Sequence, residues 1–435
     1  MLIEWDGRGN LTKVEAHARP PIGVARADYV VPGMVNLHSH AFQRALGGLT
    51  EQAGDGPDSF WTWRDLMYRF GASITPEQLE AIATQLFSEC LRHGYTALCE
   101  FHYIHRDPAG KAYARPAEMA ERVVAAGQQS GIGLTMLPVL YSHSGFGAQP
   151  LKPEQGRFRS DVDSVLGIVE ALAPLRGGQL EVGAAPHSLR AAGIEQIREL
   201  AASLPAGRPL HIHIAEQQGE VRQSLEFSSR RPVEYLFDAI AVDARWCLVH
   251  ATHLNEAEVA QLAASGAVAG LCPTTEANLG DGLFPLSDYL AAGGRWGIGS
   301  DSHVSQSPVE ELRWLEYGQR LVGQRAGISS PARRGATWAK TCGRMRYPAV
   351  PRHPGGQWAP WRRAGVPICS CSTARIRTWR VRSRPTCSAA WSSVATTTWC
   401  ATCWPAGAGW CRAGATWRRR PLHAATGKPS TSCAR

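Results

Sequence analysis

Two histidines one residue apart, His38-Ser39-His40, close the first long apolar run of the chain. In a strand, side chains two apart project to one face, so both imidazoles can reach a single metal ion. An isolated His-x-His equally describes two polar residues at a strand end, so the case for a metal depends on further residues. His213 and Asp301 supply it, since each ends another apolar run. Three imidazoles and a carboxylate suit Zn²⁺, with iron or manganese able to use similar ligands, and a fifth coordination position is left for water. Such a water has a pKa of about 7 and supplies hydroxide at neutral pH. His211 projects to the same side as His213, so spacing leaves the ligand of that strand open; His211 is read as the packing or supporting histidine.

These residues require a scaffold that gathers distant strand ends. Apolar runs of strand length recur at 29–37, 95–101, 134–140, 180–185, 210–215, 246–251, 267–272 and 295–300, and stretches with helical spacing, such as 76–94 and 194–204, lie between them. Eight such alternations predict an α/β protein built as a (β/α)8 barrel. Polar residues follow the runs: His38 and His40, His102 and Tyr103, Ser142 and His143, His187, His213 and Glu216, His250, Thr274 and Glu276, then Asp301. In a barrel these positions converge at the C-terminal mouth, where catalytic groups sit. Residues 1–28 carry short alternating patches broken by glycine and proline and read as an N-terminal β segment. Cys90, Cys99, Cys247 and Cys272 fall within apolar runs and read as buried thiols without a disulfide.

Composition divides the 435 residues in two. All 37 acidic residues lie at or before Glu316, whereas the 119 residues after it carry 21 Lys and Arg; 9 of 15 Trp and 8 of 12 Cys lie at or beyond Trp338. No run of about 18 apolar residues and no basic-then-apolar leader is present, which predicts a soluble cytoplasmic protein. The tail's Cys369-x-Cys371 with Cys400-x-x-Cys403 hints at a zinc site, and its Arg runs at 375–384 and 418–420 hint at nucleic-acid binding. A folded segment without a carboxylate is foreign to ordinary composition, and a disordered tail is poor in aromatics. A lost base explains the tail better. Trp and Cys codons begin TG, which in the earlier frame end codons for Leu, Met or Val. Residues 369–379 then become LLVLDGTHPDL, 390–400 become GLVFGSHDNMV, and 337–342 become DVGEDL. The frame is therefore read as changing between Leu321 and Thr337. The domain reading is 1–29 as the β segment of a small composite domain, 30–325 as the barrel, and 326–435 as a frameshifted tail, unstructured or misfolded.

Five segments carry a resemblance: VPGMVNLHSHAFQRALGGLT (31–50), DSFWTWRDLMYRF (58–70), EFHYIH (100–105), HIHIAEQ (211–217) and GIGSDSHVSQSPVEELRWLEYGQ (297–319). They are similar to the amidohydrolase superfamily and, more narrowly, to its formimidoylglutamate deiminases, from about Val31 to Leu321. The resemblance implies a single zinc per subunit, although another divalent metal would serve, held by His38, His40, His213 and Asp301. It implies Glu216 as proton shuttle to the leaving nitrogen, His250 as the histidine that orients the attacking hydroxide, and Asp301 as acceptor of the water proton. Arg64 and Arg190 correspond to positions that hold the glutamate carboxylates, and Gln43, Tyr103 and His187 to the remaining polar contacts. Met67 and the aromatics Phe60, Trp61, Trp63, Tyr68 and Phe70 read as loop packing rather than a stacking platform. The implied reaction is hydrolytic deimination of N-formimidoyl-L-glutamate to N-formyl-L-glutamate and ammonia in histidine degradation. The implied partner is a small molecule with carboxylates, not nucleic acid or membrane, and a homodimer is suggested.

The family closes its small β domain with C-terminal strands, and the displayed frame is expected to lack both these strands and the helix after strand eight. Exposed apolar barrel surface would then make the chain aggregation-prone or inactive. Three other readings compete: a deaminase of a cyclic amidine or purine-like substrate, indifferent to Arg64 and Arg190; a nucleic-acid binder with salt-dependent affinity mapping beyond Thr337; and an impaired product of a disrupted gene.

Overall fold

The structure is a computed structural model in which residues 2–5, 11–15, 17–19, 21–24, 29–49, 60–324, 368–371 and 402–403 are described. Its strands are β1 (Leu2–Trp5), β2 (Leu11–Glu15), β3 (Tyr29–Pro32), β4 (Met34–Ser39), β5 (Tyr95–His102), β6 (Gly133–Leu140), β7 (Leu180–Val182), β8 (Ala185–Pro186), β9 (Leu210–Ile214), β10 (Trp246–His250), β11 (Val268–Leu271), β12 (Arg295–Ile298), β13 (Ile368–Cys371) and β14 (Thr402–Cys403). The helices are α1 (Phe60–Gly71), α2 (Pro76–His93), α3 (Glu118–Ser130), α4 (Val162–Leu172), α5 (Ile194–Ser203), α6 (Gln218–Ser228), α7 (Pro232–Ala239), α8 (Glu256–Ser265), α9 (Pro273–Leu279), α10 (Leu286–Ala291) and α11 (Pro308–Gly323).

Parallel pairing runs β4-β5-β6-β7, with β8 continuing on β6, and β9-β10-β11-β12. Bridges Ala184–Leu210 and Ser188–His213 join the two arcs on one side, and Ser39–Asp301 joins them on the other. The predicted barrel is thus closed, and its fourth strand is split into β7 and β8. Strands β9, β10 and β11 are buried at every position, as a parallel sheet covered by helices requires.

Helix α2 shows how the sequence writes its own boundaries. Thr75 accepts a hydrogen bond from the Gln78 amide at 3.2 Å while Gln78 Oε1 accepts one from the Thr75 amide at 3.0 Å, and Pro76 occupies the first turn. Gly94 ends the helix in the left-handed region at φ 103°, and β5 follows directly. Leu79, Ala83, Leu86, Phe87 and Cys90 form its buried stripe. At the far end of the barrel, Gly299 lets the segment after β12 approach β4: a Cβ there would lie 2.7 Å from His38 Cβ and 2.8 Å from His38 N. No larger residue keeps Asp301 beside His38.

The antiparallel pair β1-β2 lies within the segment read as N-terminal β patches at 1–28, whereas the apolar run read as one barrel strand at 29–37 is divided: β3 pairs with β13 and only β4 joins the barrel. Two expectations about the C-terminal side are corrected. Helix α11 does follow the eighth strand, because PVEELRWLEYGQRLVG buries Leu312, Leu315 and Glu311 and is capped by Ser307. β13 pairs antiparallel with β3, and β14 with β13, so two short closing strands exist in the displayed frame. Ladder bonds use backbone groups alone, and an open strand edge accepts a segment of almost any sequence. The rest of 326–435, including the Arg runs, and the tail cysteine side chains lie outside the described residues. Cys90, Cys99, Cys247 and Cys272 are buried and free, as read. Among the described residues no helix is long and apolar enough to cross a membrane.

Candidate active site

His38 lies on β4 one residue before its end, His40 follows the strand, His213 lies on β9 and Asp301 follows β12. Their ligand atoms all lie within 4.8 Å of one another, and all four residues are buried. His38 Nε2 is 3.0 Å from His40 Nε2 and 2.8 Å from His213 Nε2; Asp301 Oδ1 is 3.3 Å from the first and 3.2 Å from the second. His40 Nδ1 donates to the Phe101 carbonyl at 2.9 Å, and His213 Nδ1 to the His187 carbonyl at 3.0 Å. Each bond places the proton on Nδ1 and leaves an Nε2 lone pair facing inward. Nitrogens so close, with a carboxylate oxygen beside them, form a donor set that a cation can occupy. Burial, then His40, holds His38 down to about 3, and burial with His38 holds His213 well below the ordinary imidazole value. Burial opposes ionisation of Asp301, yet its contacts with His38 and His40 leave the carboxyl well below its usual range. Neutral imidazoles and an ionised carboxylate are the protonation states that a divalent metal needs. His211, on the same strand, is buried but outside this set, as expected.

The backbone at the strand ends is bent to serve this geometry. Ala215, His250, Ala251, Asp301 and His303 have φ of 50°, 65°, 48°, 48° and 63°. Left-handed backbone at non-glycine residues costs of order 1–3 kcal/mol each and persists where the surroundings over-determine it. Here it turns side chains from successive strands toward one point.

A second constellation abuts the first. His250 Nδ1 lies 3.2 Å from Glu276 Oε1, and its Nε2 lies 3.6 Å from Glu216 Oε1 and 3.7 Å from Asp301 Oδ2. Burial works to lower the His250 pKa, but Glu216, Glu276 and Asp301 prevail and raise it to about 10. Burial pushes Glu216 above the ordinary carboxylate range, opposed by His250 and Arg190. Asp281 is buried nearby and pushed up to about 9 by burial and then by Glu216. Such a set can accept, hold and return protons within one site.

His40, Gln43, Tyr103, His187, Arg190, His213, Glu216, His250 and Asp301 line one cavity with Met67, Tyr68, Tyr141, Ser144, Ser188, Ala191 and Leu279. Gln43 Nε2 donates to Tyr103 OH at 2.9 Å, and the His187 ring packs 4.7 Å from that of Tyr141. Arg190 Nη2 reaches Glu216 Oε2 only at 3.9 Å, and its Nε is buried without a hydrogen-bond partner. A buried guanidinium with an unused donor can receive an anion. Arg64 lies on α1, but its side chain, with those of Phe60, Trp61 and Trp63, lies outside the described residues. Met67 and Tyr68, read as packing, do pack and also wall the cavity. Asp281 carried no signal in the sequence, because it follows a helix and not a strand end.

A sequence profile of the amidohydrolase family matches residues 29–337. The formimidoylglutamate deiminase of Pseudomonas aeruginosa is 59% identical over 320 residues, covering 73% of this chain and 71% of that one. A 5-methylthioadenosine/S-adenosylhomocysteine deaminase of Haloarcula marismortui is 27% identical over 282 residues, covering 65% of this chain and 59% of its own length. Among solved structures, an amidohydrolase from Brucella melitensis matches with a TM-score of 0.74 at 44% identity, covering 78% of this chain and 75% of that one. An adenosine deaminase from Xanthomonas campestris with bound zinc shares the fold, with a TM-score of 0.55 at 23% identity, covering 69% of this chain and 65% of that one.

Proposed function

The chain belongs to the amidohydrolase family, and on that ground we propose that it hydrolyses N-formimidoyl-L-glutamate to N-formyl-L-glutamate and ammonia in histidine degradation, using one zinc ion per chain. The observation that carries this reading is a single cavity lined by His40, His213 and Asp301 of the three-histidine, one-carboxylate set, by the Glu216–His250 pair and by the buried Arg190. Each serves one demand of amidine hydrolysis: a nucleophile, proton transfer to departing ammonia, and a grip on a dicarboxylate.

His38, His40, His213 and Asp301 would hold the zinc, which when bound lowers the pKa of water to about 7. Asp301 Oδ2, turned toward His250, takes the proton of the attacking water. His250, anchored through Nδ1 by Glu276, presents Nε2 to the nucleophile and orients it. Glu216, between His250 and Arg190, carries the proton to the nitrogen that leaves as ammonia. Arg190, with Arg64 on α1, binds the glutamate carboxylates, and Gln43, Tyr103 and His187 position the formimidoyl end. The family profile ends at residue 337, beside the interval in which the frame is read as changing. The test is product analysis with N-formimidoyl-L-glutamate and 5′-methylthioadenosine side by side: formylglutamate and ammonia from the first alone support the reading, and turnover of the purine alone overturns it.

A further inference from the structure

A chain of buried hydrogen bonds runs behind the metal-binding set and touches none of the cavity. Asn36 Oδ1 accepts from the amides of Ser300 at 3.0 Å and His38 at 3.3 Å, which turns its Nδ2 toward Ser300 Oγ at 2.6 Å. Ser300 Oγ lies 3.0 Å from His303 Nδ1, His303 Nε2 lies 3.0 Å from Ser39 Oγ, and Ser39 Oγ lies 2.6 Å from Glu100 Oε2. Glu100 Oε1 accepts from the Ala41 amide at 2.6 Å. Asn36, Ser39, Glu100, Ser300 and His303 are each at most 3% exposed.

Donor arithmetic fixes the direction of this chain. Burial pushes Glu100 up to about 7, so above that pH it is ionised and has no proton, and Ser39 donates to it. Ser39 has one proton, so His303 Nε2 must donate to Ser39. The Nδ1 of that neutral imidazole is then an acceptor, so Ser300 donates to it, and Asn36 donates to Ser300. The Asn36 amide, oriented by two backbone N–H groups, fits the same direction from the other end, because it leaves the Ser300 hydroxyl proton an acceptor in His303 Nδ1. The connected segments are those that carry the ligands: Ser39 lies between His38 and His40, Ser300 precedes Asp301, and Glu100 precedes Phe101, whose carbonyl holds His40.

We propose that Glu100 and His303 are positioning residues for the metal centre, acting through Ser39 and Ser300 in a one-directional chain that requires His303 as its Nε2–H tautomer and holds His38, His40 and Asp301 at ligand spacing. This rests on the metal-site reading above and is independent of which substrate is turned over. Glu100→Gln is the informative variant. Its amide keeps the Ala41 bond through oxygen and offers NH2 to Ser39, which reverses Ser39 and His303. Ser300 then receives protons from both His303 and Asn36, and its own hydroxyl has no acceptor in the chain.

The test combines ¹⁵N-histidine NMR, with His303→Asn assigning the signal, and zinc competition against a chromophoric chelator. It uses the full chain, in the restored frame where the displayed one aggregates; both share residues 1–320 and so every member of this hydrogen-bond chain. We expect the parent to show Nε2–H at His303 and E100Q to show Nδ1–H. Zinc affinity in E100Q should fall about 10- to 100-fold, and KM at saturating zinc should change less than about 2-fold. Ser300→Ala removes one oxygen and, should E100Q not fold, reads the same chain by a comparable loss of affinity. In E100Q/S300A the losses should not add, because one chain is broken twice. An Nδ1–H tautomer in the parent, unchanged zinc affinity in the variants, or additive losses would overturn the proposal. Failure of the substrate assay alone would not, since the tautomer and zinc-affinity readouts use no substrate.

Discussion

His38 Nε2 and His213 Nε2, from strands on different arcs of the barrel, stand 2.8 Å apart with His213 Nδ1 committed to the His187 carbonyl. The pair predicts a resident cation. One zinc per chain is expected, and His213→Ala should lose the metal and lower activity more than about 100-fold, since even outer-shell changes cost about 10- to 100-fold. Metal analysis and turnover of the same preparation check this. Chelation should also lower Tm, because a ligand at 1,000 times its Kd stabilises by about 4 kcal/mol.

Arg190 is the discriminating cation of the cavity. With a dicarboxylate substrate, Arg190→Ala should cost roughly 30- to 1,000-fold in kcat/KM, the scale of losing one partner of a buried charged pair. A neutral purine substrate predicts almost no change. Steady-state kinetics on the variant separate the two.

Burial raises Glu216 above the ordinary carboxylate range, so kcat/KM should begin to fall at a higher pH than a free glutamate near 4.3 would dictate. Glu216 must be ionised to take a proton, so activity is lost as pH falls through that value. Glu216→Gln should reduce kcat about 10²- to 10⁴-fold and remove this acid limb from the residual profile.

Stability should also fall with acid, for a separate reason. His105 is buried, donates to the Val139 carbonyl, and is held at about 4 by burial against 6.5 for a free imidazole. The unfolded chain therefore binds a proton that the folded chain refuses between those values. The contribution is complete above pH 6.5 and declines toward pH 4 at about 1.4 kcal/mol per pH unit. His105→Gln should flatten the decline by that one proton when metal-free protein is unfolded with denaturant across the range.

The barrel was legible because β-like runs buried on both faces alternate with capped helices, as Thr75, Pro76 and Gly94 around α2 show. The candidate site was legible where chemistry sits at strand ends, as at His38, His40, His250 and Asp301. It was not legible at Asp281, which reaches Glu216 from a loop after α9, nor in the partners of Ser39, which lie 61 and 264 residues away. Spacing reports neighbours on one element, whereas those contacts exist only after closure. The α11 and β13 corrections have a similar cause: a helix needs one apolar stripe and a short strand only a free edge, so neither was excluded by the tail's composition.

Resequencing the DNA between the codons for Leu321 and Thr337 should find one base missing. The frame-restored chain is then expected to stay soluble and active, whereas the displayed 435-residue chain aggregates or lacks activity. Soluble, zinc-loaded, active protein from the displayed sequence would refute this.

The most direct measurement is metal-dependent turnover of N-formimidoyl-L-glutamate by frame-restored protein, stripped with chelator and titrated with zinc. The account predicts no activity without metal and a rise that saturates at one zinc per chain, with ammonia and N-formyl-L-glutamate formed in equal amounts. Turnover indifferent to metal, or zinc-loaded protein that leaves this substrate untouched, would contradict it.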